Sequence, residues 1–270
     1  MIGLIFDPND EASNNIAKHI ISTYGFEGQG NVFKSDSFKN VSIVKSDTSL
    51  LDAEFVDELG LEVAYMLSKH ESSAGISSFT THPTGNWGSE AKLGGKPHML
   101  SEAAALQMLN VLRKVGEAMK KNMLSGLQLT YEATHHGPLL NTPSLFVEIG
   151  GNEQTIANKD LARILGDSIM GSLDVEPDFS KVVLGIGSNH FPAKFTKLAL
   201  EKGYAFSHMF PKYALYNQDG SCNVFMLKQA FEKSRPEPEL ACLEWSSYNS
   251  HERAEIIKIL NEIGIEYERV

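Results

Sequence analysis

Histidine changes charge near neutral pH and is the commonest protein ligand for metal ions. This chain carries nine. His70, His82 and His98 lie between Ser68 and Leu100, His135 and His136 are adjacent, His190 follows Gly185-Ile186-Gly187, and His208 closes a short apolar run. The densest segment is Tyr131-Glu132-Ala133-Thr134-His135-His136-Gly137-Pro138. In an extended chain His135 and His136 point to opposite faces, so one reaches a metal or substrate and the other acts from behind. Glu132 has the chemistry to orient an imidazole or to serve as general base for a water. The order and spacing are not those of an HExxH zincin helix. Glu148, inside Phe146-Val147-Glu148-Ile149, is costly to bury unless paired, which makes it a candidate metal ligand or histidine partner. On an edge strand it would instead face solvent.

There is no GxSxG nucleophile elbow. The two cysteines, Cys222 and Cys242, stand outside the histidine-rich segments and form no CxxC pair. Both facts favour an activated water over a covalent intermediate. A bound metal brings the pKa of such a water toward about 7 and polarises a carbonyl. In His82-Pro83-Thr84-Gly85-Asn86-Trp87-Gly88, Asn86 is a candidate oxyanion donor and Trp87 either a stacking surface or core. His190 stands where a dinucleotide fingerprint needs its third glycine, so Gly185-Ile186-Gly187 is only a turn that a phosphate or ribose can approach.

These residues need elements to position them. Apolar runs predict strands at Ile2–Phe6, Val41–Val44, Val63–Leu67, Gln128–Glu132, Leu145–Ile149 and Val182–Ile186, with a last edge strand at Ile265–Val270. Helical spacing predicts helices over Asn14–Tyr24, Glu102–Lys121 capped by Ser101, Gln154–Met170, Ala193–Lys202, Asn223–Lys233 and Ser250–Ile263. The alternation implies one α/β domain over residues 1–270, with a mixed, mainly parallel sheet flanked by helices on both faces. Ligands bind such sheets beyond the carboxyl ends of the strands, and there the histidines fall. Ser68 to Leu100, a stretch of about 30 residues without clear periodicity, reads as a long functional loop. The segment around Arg235-Pro236 reads as an exposed connection.

The net charge of −10 argues against broad binding of nucleic acid and leaves room only for a local basic rim. Lys69, Lys92, Lys96, Lys194, Lys197 and Lys212 lie in or beside the histidine segments and could form one. No apolar run reaches the roughly 18 residues a membrane span needs, and the N-terminus reads as a strand and turn rather than a signal peptide. A cytoplasmic protein with no membrane contact is expected, as a monomer or weak homodimer.

Ser68-Lys69-His70-Glu71-Ser72-Ser73-Ala74-Gly75 and Thr81-His82-Pro83-Thr84-Gly85-Asn86-Trp87 resemble the conserved loop of the archaeal and plant type of D-aminoacyl-tRNA deacylase. Glu132–Pro138, Phe146–Gly150, Gly185–Pro192 and His208–Leu215 resemble that family's later blocks, in order along nearly the whole chain. Lys69 stands where the family pattern has arginine, and Phe191 where a tyrosine is usual. The resemblance implies a fold akin to peptidyl-tRNA hydrolase and the phosphorylases, and a zinc-dependent enzyme. It would hydrolyse the ester between a D-amino acid and the 3′ ribose of tRNA, releasing free tRNA and a D-amino acid. Zinc would be held by some of His82, His135, His136 and His190 with Glu132 or Glu148. The working assignment takes His82, His136, Glu148 and His190 as ligands. It takes His70, Glu132, His135, Asn86 and His208 as catalytic groups, with His70 or His208 protonating the leaving ribose oxygen. Lys69, Lys96, Trp87, Lys194 and Lys212 would contact the tRNA. Two competing readings remain: a metal-free esterase with histidine as base, as in peptidyl-tRNA hydrolase, and a non-catalytic module that binds nucleosides or tRNA ends.

Overall fold

The structure, a computed structural model, describes residues 1–70, 75–217 and 221–270. Glu71, Ser72, Ser73 and Ala74 of the first resembling block lie outside the described residues. In chain order the elements are β1 Ile2–Phe6, α1 Glu11–Thr23, β2 Val32–Lys34, β3 Val41–Lys45, β4 Val63–His70, β5 Ser78–His82, β6 Gly85–Asn86, β7 Met99–Leu100, β8 Ala103–Ala104, α2 Ala105–Lys121, β9 Gln128–Tyr131 and β10 Ser144–Gly150. Then come α3 Glu153–Ile156, α4 Lys159–Leu173, β11 Lys181–Ile186, α5 Ala193–Lys202, β12 Tyr204–Phe210, α6 Val224–Glu232, β13 Ser234–Arg235, β14 Leu240–Leu243, α7 Ser250–Glu262 and β15 Tyr267–Arg269.

Two main sheets form. The larger runs β13-β8-β10-β4-β1-β3-β2, with β5 also pairing β10 and β9 pairing β5. The smaller runs β12-β11-β14-β15, parallel throughout. The larger is parallel except where β2 meets β3 and β5 meets β10. The architecture is thus the mixed, mainly parallel α/β sheet flanked by helices that the alternation of elements predicts.

Side-chain alternation along β10 sorts the large sheet into a greasy face and a working face. Leu145, Val147 and Ile149 join Tyr65, Leu67, Phe79 and Tyr131 in the core, against Ile16 and Ile20 of α1, Leu109 of α2 and Leu165 of α4. The opposite face starts apolar, with Phe146 beside Ala64, Met66 and Leu140. Further along it turns polar: the register sets Glu148 beside Ser68 of β4 and Thr80 of β5, and His82 beside Phe146. A one-residue slip would send every one of these groups into the core, so the apolar residues of β4, β5 and β10 hold the polar ones in place.

Several predicted boundaries move. Ser68–Leu100 is not one loop, because β5 pairs with both β10 and β9, and β6 pairs with β7. Ser101 is not the cap of α2. Its hydroxyl donates to the Pro138 carbonyl and accepts from the Leu140 N–H, both at 2.9 Å, and the helix starts at Ala105. The helix expected over Gln154–Met170 is two, because Asn158 accepts from the N–H groups of Asp160 and Leu161 and so starts α4 anew. Arg235 is not a bare connection: it extends β13 beside β8, and its guanidinium lies 3.0 Å from Glu102. Among the described residues no helix is long and apolar enough to cross a membrane.

Candidate active site

The polar end of the working face gathers side chains from four strand ends. His70 closes β4, His82 closes β5, Glu132 follows β9 and His190 follows β11, while Glu148 sits inside β10. Gly150 makes room for this gathering. A Cβ there would come within 2.4 Å of Ser78 Oγ and 3.1 Å of the His70 ring.

Distances are short throughout. Glu132 Oε1 lies 3.1 Å from His70 Nδ1, and Glu132 Oε2 lies 2.9 Å from His190 Nε2 and 3.6 Å from His135 Nε2. Glu148 Oε2 lies 3.7 Å from His70 Nδ1 and 3.5 Å from His82 Nε2, and it accepts from Thr80 Oγ1 at 3.2 Å. The His82 and His135 rings are 4.2 Å apart, and the His135 and His136 rings 4.3 Å. Glu132, Glu148 and His82 are all but sealed from solvent.

His82, His135 and His136 share a further property. Each sets Nδ1 against a backbone carbonyl: Pro83 at 3.1 Å, Ala133 at 2.9 Å and Gly137 at 2.6 Å. A carbonyl only accepts, so each Nδ1 carries a proton, and Nε2 is the ring nitrogen left to face the site; at His82 it lies 3.5 Å from Glu148 Oε2. The backbone of His136 adopts a φ of +42°, rare for a residue with a side chain, to aim its ring this way. One ligand atom from each of the three lies within 4.8 Å of the others, as is true of His82, Glu132 and Glu148, and of His70, Glu132 and His190. His82 Nε2 and both oxygens of Glu132 are buried without an aligned hydrogen bond. Unsatisfied buried groups of this kind are costly, and a cation among them would satisfy them. This donor set of imidazoles and carboxylates suits zinc.

The charges divide the histidines. Burial pushes the His70 imidazolium down, but the carboxylates of Glu132 and Glu148 outweigh it and lift its pKa to about 10. His82 is raised in the same way by Glu148. Burial holds His135 well below its ordinary value and His136 down at about 4, with the His82 charge adding to both. For Glu132, burial pushes upward, yet His190 and His70 hold its carboxyl well below the usual range.

Two cavities meet here. The first, of about 470 Å³, is lined by Asp10, Ser68, Lys69, His70, Phe146 and Glu148 among others. The second, of about 690 Å³, is lined by Asn86, Trp87, His98, Tyr213, Asn217 and Asn223 among others. His135 and His136 line both.

Some expected site residues stand elsewhere. His208 lines neither cavity and is fully buried. Its Nε2 donates to the carbonyls of Ser101 and Lys233, both at 3.0 Å, and its Nδ1 accepts from Thr134 Oγ1 at 3.1 Å. Both nitrogens are thus committed to holding β12 against its neighbours, and none is left for a ribose oxygen. Trp87 lines the second cavity only as part of its core wall: 6% exposed, it packs on Phe210 with centroids 4.0 Å apart and donates to the Thr134 carbonyl. Asn86 commits its NH₂ to the carbonyls of Gly94 and Lys96, which leaves no donor for an oxyanion. Lys212 reaches Glu252 and the Ser247 carbonyl, and Lys92 pairs with Glu90. Among the described residues no carboxylate lies within ion-pair distance of Lys96, Lys194 or Lys197.

Other residues of these cavities went unremarked in the sequence. Asp10 is one. It caps α1 through the Ser13 N–H, accepts from the Lys69 N–H at 2.9 Å, and lines the first cavity. Its signal was there, as an aspartate in a turn at the carboxyl end of a predicted strand. Tyr213, Asn217 and Asn223 of the second cavity carried no comparable signal.

A sequence profile of the D-aminoacyl-tRNA deacylase family matches residues 58–268. The chain is 35% identical over 269 residues to the D-aminoacyl-tRNA deacylase of Pyrococcus furiosus, covering 96% of each. It is 34% identical over 256 residues to that of Hyperthermus butylicus, covering 90% of this chain and 91% of the other. A crystal structure described as a conserved protein of unknown function, AF0625, superposes with a TM-score of 0.88 at 25% identity, covering all of this chain and 95% of that one. The relatives that this chain matches carry the name of a hydrolase. The chain belongs to the D-aminoacyl-tRNA deacylase family.

Proposed function

We propose that this chain hydrolyses the ester bond of D-aminoacyl-tRNA at the wall formed by His135 and His136, releasing free tRNA and a D-amino acid. The observation that carries the reading is the set of three histidines whose Nδ1 groups are pinned by backbone carbonyls beside two buried carboxylates. Shared family gives the substrate class.

The fit of the donor set supports zinc held by His82, His135 and His136 through Nε2, with Glu148 as the adjacent carboxylate. This moves His135 from the catalytic groups to the ligands, and His190 from the ligands to a partner of Glu132. Bound zinc supplies a Lewis acid that polarises the ester carbonyl and acidifies a water. Glu132, ionised and buried, accepts the proton of the attacking water. His70, protonated between Glu132 and Glu148, faces the first cavity and delivers a proton to the leaving ribose oxygen. The apolar side of that cavity, with Phe146 and Leu50, keeps bulk water from the ester. Lys69 at the cavity, with Lys96, Lys194 and Lys197, are the tRNA contacts this reading favours.

The test is release of amino acid from D-Tyr-tRNA and L-Tyr-tRNA by the purified chain. Release from the D form alone is expected. Equal release from both would leave an unselective esterase, and no release from either would leave a binding module.

A further inference from the structure

An ester has two sides, and a hydrolase that cuts at a wall between two cavities must seat one product in each. Resting on the deacylase reading, we infer that the second cavity is the seat of the terminal adenine of the tRNA and that Tyr213 is its stacking surface.

Chemistry assigns the sides. The first cavity holds Asp7, Asp10 and Glu148 beside Phe146 and Leu50. Carboxylates next to apolar side chains suit the ammonium and side chain of an amino acid. The second cavity is lined mainly by amides and rings, with Glu90, paired to Lys92, beside them. Neutral, flat, hydrogen-bonding ligands suit such a lining, and unstacked bases are bound on aromatic side chains with their edges read by polar groups.

The details narrow the base. Tyr213 is 66% exposed, although large apolar rings are ordinarily covered, and it stands at the mouth of the cavity. Asn86 commits both N–H groups of its amide, to the Gly94 and Lys96 carbonyls, and Asn217 and Asn223 commit one each, to Ser221 Oγ and to the Trp87 carbonyl. Each of the three amides keeps its carbonyl oxygen, an acceptor, and Asn217 and Asn223 keep one N–H beside it. Acceptors around a stacked base select an exocyclic amino group, which adenine carries at position 6 and hypoxanthine lacks.

The experiment is inhibition of D-Tyr-tRNA hydrolysis by AMP and by IMP. AMP is expected to compete with the substrate and IMP to bind roughly tenfold more weakly, the scale of one good base-edge contact. Tyr213→Ala is expected to weaken AMP about tenfold and to raise KM rather than lower kcat, with Tyr213→Phe restoring both, because the ring and not the hydroxyl stacks. Inhibition by free D-tyrosine, seated in the first cavity, is expected to be the same in both variants and the parent. Equal inhibition by AMP and IMP, AMP that does not inhibit, or a Tyr213→Ala variant with unaltered AMP inhibition would each overturn the adenine seat while leaving the deacylase standing. Absence of release from D-Tyr-tRNA by the parent protein would overturn the deacylase reading and the seat with it.

Discussion

Glu132 Oε2 lies 2.9 Å from His190 Nε2, and this contact joins the end of β9 in the large sheet to the end of β11 in the small one. The same carboxylate touches His70 through its other oxygen. One buried charge thus holds imidazoles from two sheets at the reaction centre. Glu132→Gln keeps the shape and removes the charge. Activity is expected to fall by about 10²–10⁴-fold, the range a positioned general base contributes. Single-turnover release from D-Tyr-tRNA checks this, and a variant within twofold of the parent would remove Glu132 from the mechanism.

The three pinned histidines make a sharper claim about zinc. His82→Ala and His136→Ala are each expected to lose bound zinc and more than about 100-fold of activity, since direct ligands matter more than the groups behind them. Metal content after dialysis reads the first and turnover the second. Retained zinc in both would move the ion to the His70, Glu132 and His190 group.

His208 supplies the contrast. Its ring ties Thr134, Ser101 and Lys233 together in the interior. His208→Ala leaves those groups unsatisfied, and is expected to lower stability by roughly 2–4 kcal/mol while leaving the zinc content of the folded protein unaltered. Urea denaturation measures the former. Lost zinc with unaltered stability would return His208 to the active site.

Asp57 predicts a pH dependence away from the site. Burial pushes its carboxyl up, but donation from the Asn141 and Thr142 N–H groups outweighs this and holds it below the ordinary 3.8. A depressed carboxyl stabilises the fold above the unfolded-state value, and that contribution is lost as pH falls through the folded value. The stability gap between the parent and Asp57→Ala is therefore expected to be widest above about pH 5 and to narrow as pH drops below 4. A gap that widens on acidification would reverse the assignment.

Salt tests the basic rim. Lys96, Lys194 and Lys197 carry charge without carboxylate partners among the described residues, on a chain of net charge −10. KM for D-Tyr-tRNA is expected to rise with salt, and replacing all three by Gln to reduce the log–log slope by roughly 2, near 0.7–0.9 per phosphate contact. An unaltered slope would place the tRNA backbone elsewhere.

Much of this was legible before folding, for physical reasons. Apolar runs such as Val182–Ile186 and the helix Ala193–Lys202 bury one pattern against one environment, so period alone reveals them. The cluster was legible because histidines fell past strand ends. β5 was not, because Ser78–His82 buries polar side chains on both faces and shows no alternation of polarity. The break between α3 and α4 hid in a single capping asparagine, Asn158. Nor could sequence tell His208 from His82. Both are buried, and only the partners of each nitrogen separate a tie in the core from a ligand. Trp87 and Asn86 went the same way, their polar groups turned to backbone carbonyls that no spacing reveals.

The most direct test of the central claim is release of D-tyrosine from D-Tyr-tRNA by the protein as purified, after removal of zinc by a chelator, and after zinc is added back. Release that disappears on chelation and returns with zinc is the predicted result. Release that persists at full rate in the zinc-free protein would contradict it, and would leave the histidines and carboxylates of this site to act on water alone.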